Sequence, residues 1–78
     1  MVQVHTVYES HAWRNKVDGL QQGIAHTSRP CAVAAGRGIT AGLGGSHFIH
    51  DVDGSLLDQY VYDLADDVSA LGAMRYIA

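Results

Sequence analysis

The chain has 78 residues and a formal charge of −3, from five Lys and Arg against eight Asp and Glu. A chain of this size removes only about 60% of its unfolded surface from water on folding, so a second domain is excluded, and the negative field disfavours generic binding of polyanions. Hydrophobic residues at 47% and charged residues at 17% exclude a disordered or low-complexity chain.

The longest apolar run, residues 31–35, falls far short of the about 20 residues that a membrane span needs. Glu9, Arg14, Lys16 and Asp18 interrupt the region where a secretory signal would place its apolar stretch. Cys31 is the single cysteine, so no intrachain disulfide can form and a reducing cytoplasm is the expected location. A core this small, without a covalent staple, supplies seldom more than about 3–5 kcal/mol, and association is one common remedy.

Val2, Val4, Thr6 and Tyr8 alternate with Gln3, His5 and Glu9, the period of a half-buried strand. After the break at Glu9-Ser10-His11, residues 12–17 place Trp13, Asn15 and Val17 on one face and Arg14 and Lys16 on the other. Asp18-Gly19 tolerates positive φ at both turn centres, so a hairpin leads into a third strand over residues 20–26. Thr27 or Ser28 caps a helix with Pro30 in its first turn. Its stripe of Ala32, Gly36, Ile39 and Leu43 is thin and demands close backbone approach, and Gly44-Gly45 ends it.

Residues 47–51 and 55–62 flank Val52-Asp53-Gly54 and predict a second hairpin, whose loop length decides whether Ile49 shares a face with Leu56 or Leu57. Asp63 then precedes Leu64, Val68, Leu71 and Arg75 at helical spacing, with Asp66 and Asp67 in the first turn. The expected fold is a single α+β domain over residues 1–78, in the order β-β-β-α-β-β-α. A small antiparallel sheet is packed by one helix over 1–62, and a C-terminal amphipathic helix fills 63–78. Charge divides with the chain: residues 1–50 carry four bases against two acids, residues 51–78 six acids against Arg75. First-turn helix acids and a solvated hairpin account for that polarity.

His47-x-x-His50-Asp51-x-Asp53 holds metal-ligand residue types, but residues three apart on a strand point to opposite faces, and turn formation explains His50 to Gly54. Gly36-Arg37-Gly38-Ile39-Thr40-Ala41 matches a dinucleotide fingerprint in letters only, because Ser28-x-Pro30 starts a helix upstream of it. Cys31 among small apolar residues reads as a packed thiol rather than a nucleophile. His5, His11 and His26 have no mutual spacing and read as ordinary strand and loop residues. No catalytic, cofactor or metal residue is therefore assigned. Trp13 with Arg14 and Lys16, supported by Arg29 and Arg37, offers an aromatic and basic surface for single-stranded nucleic acid.

Val4-His5, Trp13-x-Asn15, Gly19, Thr27, Ala32, Gly36-Arg37, Ile49-His50-Asp51-x-Asp53-Gly54 and Tyr62 together resemble domain-of-unknown-function family 2188, a small bacterial and phage family. The likeness covers roughly residues 3–63. Pro30 departs from it, and the predicted helix over 64–77 is an addition. The resemblance implies a compact sheet with one packed helix, and names no reaction or ligand. The expected function is a non-enzymatic, homodimeric protein-interaction or regulatory module, using Leu64, Val68, Leu71 and Arg75 or a sheet edge for association. The alternative is a nucleic-acid-binding regulator working through Trp13, Arg14 and Lys16.

Overall fold

Alternation at the N-terminal end produces β1, Val2–Glu9, in which Val4 and Thr6 are fully buried while Gln3 is exposed and His5 and Val7 are half-buried on the other side. The computed structural model describes residues 1–62 and 74–76. Ser10 and His11, with φ of 54° and 63°, turn the chain into β2, Ala12–Val17, which runs antiparallel to β1 from Glu9↔Ala12 to Val4↔Val17. Asp18 and Gly19, with φ of 51° and 85°, make the next tight turn into β3, Leu20–His26. β3 is an edge strand, and it bulges where Gln22 faces Asn15 but His26 faces Trp13.

Helix α1 spans Arg29–Leu43. Ser28 caps it from an extended conformation by accepting the Cys31 N–H at 3.4 Å, and Gly44 closes it by donating to the Thr40 carbonyl at 2.8 Å. Its buried residues are Ala32, Gly36 and Thr40, one per turn. Thr40 takes the place expected of Ile39 and Leu43, and Leu43 is 53% exposed. Cys31 is exposed, which corrects the reading of a packed thiol.

The helix meets the sheet at Gly36, because nothing larger fits there. A Cβ at this position would lie 2.6 Å from Asn15 Oδ1, 2.7 Å from His47 Nε2 and 2.9 Å from Thr6 Oγ1. A stripe of small groups lets the helix sit low, and the polar core beneath selects glycine at its centre.

From the β3 edge, α1 carries the chain back across β2 and β1 and releases it on the far side of β1. There β4, Gly45–His50, pairs parallel with β1 from Val2↔Gly45 to Thr6↔Ile49. A Cβ on Gly45 would run into the Val2 backbone carbonyl. The sheet is therefore mixed, and the expected antiparallel sheet is overturned by this pair, which a helical crossover makes possible. β5, Leu56–Tyr62, returns antiparallel to β4. A bulge sets His50 opposite Leu56 and Ile49 opposite Asp58, so Ile49 is paired with neither leucine of the expected alternatives.

Met74–Tyr76 form a last strand, β6, antiparallel to β5 through Tyr60↔Tyr76, Val61↔Arg75 and Tyr62↔Met74. The sheet order is β3-β2-β1-β4-β5-β6. This corrects the predicted C-terminal helix over 63–78 at the residues described there, 74–76. Arg75 stands in a strand, while Leu64, Val68 and Leu71 lie outside the described residues. At Met74–Tyr76 backbone pairing along the open edge of β5 prevails, since every unpaired N–H and C=O at a sheet edge is a hydrogen bond unmade. The described residues thus form a small α+β fold of one mixed sheet with one helix on one face.

Candidate functional site

Strand alternation gives the sheet two chemically different sides. Toward α1, Trp13 and Ile49 are buried and Val4 fully so, beside the buried polar residues Thr6, Asn15, Thr40 and His47. Those polar groups form one directed chain. Asn15 Nδ2 donates to the Ala32 carbonyl at 2.9 Å, leaving Oδ1 to accept from Thr6 Oγ1 at 2.6 Å. That uses the one hydroxyl hydrogen of Thr6, so Oγ1 accepts from His47 Nε2 at 2.7 Å. His47 therefore carries a hydrogen on Nε2. Burial, with smaller effects from Arg37 and His5, lowers its pKa to about 4.

The opposite side carries a row of upright rings. His5 on β1 stands directly across from Phe48 on β4, with ring centroids 4.6 Å apart and planes 10° from parallel. His50 stacks on the other side of His5 at 5.1 Å. His50 Nδ1 lies 3.1 Å from the Gly54 carbonyl, which can only accept, so this nitrogen carries the hydrogen. Nε2 of a neutral His50 is then bare and accepts from His5 Nδ1 at 2.9 Å. One direction of bonding therefore runs from His5 through His50 to the backbone, and it leaves Nε2 of His5 as a lone pair. Burial, then the neighbouring His50, lowers the His5 pKa below the usual imidazole value.

The two imidazoles border a groove of about 460 Å³ on the open side, running from Gly19 in one turn to Gly54 in another. His5, His50 and Val7 line it together with Lys16 and Glu9. Lys16 is opposite His5 in the β1–β2 register, and its Nζ reaches Glu9 Oε1 at 2.6 Å.

The structure separates the residues that the alternative reading grouped. Trp13 is 7% exposed, on the helix side, edge-on to Tyr8 at 5.3 Å and beneath the Arg29 guanidinium at 5.8 Å. Arg14 donates to the Glu9 carbonyl and to Gln21 Oε1, each at 2.9 Å, and Lys16 pairs with Glu9 on the face opposite Trp13. In the His47 to Asp53 stretch, His47 lies under the helix and His50 on the open side. Asp51 accepts from the Val52 N–H and Asp53 from the N–H and hydroxyl of Ser55, so turn chemistry occupies both carboxylates. No group of three or more potential metal-binding side chains occurs among the described residues. Gly36 to Ala41 lies within α1, not at the strand-to-helix turn that a dinucleotide fingerprint needs.

Sequence reasoning missed His5, Phe48 and His50 as a unit. Their meeting depends on β4 lying beside β1, and an antiparallel reading gives no reason to pair positions 5 and 48. The signal available was the strand–helix–strand run itself, which favours parallel pairing.

No helix among the described residues is long and apolar enough to cross a membrane. Compared with family models, with curated proteins and with solved structures, the chain finds no match.

Proposed function

We propose that this chain is a small non-enzymatic interaction module that docks a protein partner on the face of its sheet that the described residues leave uncovered. The observation that carries the reading is the outward side of the parallel β1–β4 pair. All-parallel sheets are ordinarily covered on both faces; in this mixed sheet α1 covers one face of the parallel pair, and the other presents half-buried Phe48 beside His5, His50 and Val7, which line a groove. Self-association belongs to the same proposal and uses the β3 edge, where Leu20 and Ile24 are 70% and 73% exposed. A dimer joined there keeps both open faces free. Kinship with domain-of-unknown-function family 2188 is likewise proposed, on the residues that resemble it.

Affinity capture from host lysate, with and without nuclease, tests the reading when run on three proteins: the natural chain, Phe48→Ser on the open face and Leu43→Glu on the exposed side of the helix. The expected result is a nuclease-resistant partner lost with Phe48→Ser and kept with Leu43→Glu, at unchanged thermal unfolding of the latter. Capture indifferent to Phe48→Ser overturns it, and capture abolished by nuclease transfers the function to nucleic acid. Sedimentation of Ile24→Lys checks the edge: a monomer is expected where the natural chain is a dimer.

A further inference from the structure

We propose that the open-face groove is a proton-linked carboxylate site, in which an Asp or Glu side chain of the partner is received between Lys16 Nζ and His5 Nε2 and brings one proton onto the His5–His50 pair. This inference rests on the reading of the open face as the docking surface and names the chemistry of what docks there.

Register supplies the first argument. Lys16 and His5 are directly opposed on β2 and β1, so an ammonium and an imidazole come from adjacent positions on the same side. Lys16 already binds a carboxylate, that of Glu9, at 2.6 Å. With the Glu9 side chain 52% exposed, the pair is weakly held and exchangeable, so an incoming carboxylate can take its place while Glu9 moves into water.

The direction of the ring hydrogen bonds supplies the second. His50 Nδ1 is committed to Gly54 and His5 Nδ1 to His50 Nε2, so an added proton has one position free of conflict, Nε2 of His5. Protonated His5 and Lys16 then form a pair of cations matched to one carboxylate. The overall charge of −3 opposes a polyphosphate chain in the same place but not a single acidic side chain.

The charged surroundings set the sign. Directly beside His5 are Lys16 from β2 and His50 from β4, with His47 acting through the sheet; Glu9 from β1 pairs with Lys16, and Arg14 stands opposite Val7. Burial and His50 lower the His5 pKa, so His5 of the empty groove is neutral near pH 7, and an arriving carboxylate favours its protonated form. Affinity therefore rises as pH falls through the His5 pKa of the complex, by at most about tenfold per pH unit, and levels off below the pKa of the free protein.

The test uses the full chain, isotopically labelled for NMR of ring nitrogens and backbone amides between pH 5.5 and 8. It is titrated with the capped peptide acetyl-Gly-Val-Glu-Val-Gly-amide and with a twin carrying Gln for Glu. The Glu peptide is expected to shift His5 Nε2, raise its pKa and bind about tenfold more tightly at the low end of this range, with the Gln twin at least tenfold weaker. Glu9→Gln, which frees Lys16, should tighten binding several-fold, Lys16→Met should weaken it, and His5→Phe should keep the ring row while removing the pH dependence. Equal shifts of the open face by both peptides would leave the docking surface standing and overturn the carboxylate site. A pH dependence that survives His5→Phe would overturn the proton link, and silence of every open-face resonance with both peptides would bring down the surface and the site together.

Discussion

The two sides of one sheet use the same side-chain chemistry for opposite ends. Beneath the helix, His47 is 1% exposed, and Thr6 and Asn15, the next two members of its chain of bonds, are fully buried. On the open side, His5 and His50 are bonded with equal directionality but border a groove. In each case a backbone carbonyl, of Ala32 or of Gly54, fixes the direction of the whole chain and with it the position of every proton. Covering that chain makes it part of the scaffold. Leaving it open makes it a place where a proton or a partner can arrive.

The largest expected effect breaks the covered side. Gly36→Ala puts a methyl within 3 Å of three buried polar atoms and should cost about 3 kcal/mol or more, enough to leave so small a domain largely unfolded in urea titrations. Acid should act almost as strongly. His47 folds with a pKa of about 4 against an ordinary 6.5, so the unfolded chain binds a proton that the folded chain refuses. Stability is complete above pH 6.5 and declines toward pH 4 by about 3 kcal/mol, and His47→Gln should flatten that decline in thermal melts taken at each pH.

Thr6→Val comes next. It leaves the His47 N–H and the Asn15 oxygen facing a methyl, for a loss of about 2 kcal/mol by the same titrations. On the open side the effects on folding shrink: Phe48→Ser should cost about 1 kcal/mol while removing partner binding. Glu9→Gln should leave the melting temperature where it is, since the Lys16 pair it breaks is exposed. An open-face substitution as damaging as Thr6→Val would erase the contrast between the sides.

Much of the β-meander was legible. The bounds of β2 and β3 coincide with the alternation and the Asp18-Gly19 turn, because those signals are local and a two-residue hairpin fixes its own register. Ser28, Pro30 and Gly44 likewise mark α1 within its own sequence. What could not be read is what depends on distant partners. Thr40 replaced Leu43 on the buried stripe because the polar atoms of Thr6, Asn15 and His47, contributed by three strands, decide which helix face can approach. The strand at Met74–Tyr76 was read as helix because its spacing fits one, and only the free edge of β5 argues otherwise. Of the candidate site, the charge of Lys16 is visible in the sequence, whereas the role of His5 depends on β4 lying beside β1.

The parallel neighbour of β1 is also its latest-arriving one. Val2 meets Gly45 only after two hairpin strands and a helix have been laid down between them, so closing that seam costs more chain entropy than either neighbouring turn. Until it closes, the strand destined for the middle of the sheet is itself an unprotected border, able to recruit the wrong ribbon. Gly45 sits at the first rung of this seam, against the Val2 backbone. Side-chain bulk there would hinder the zipper at its starting tooth, making a position remote from the groove a governor of how cleanly the molecule assembles.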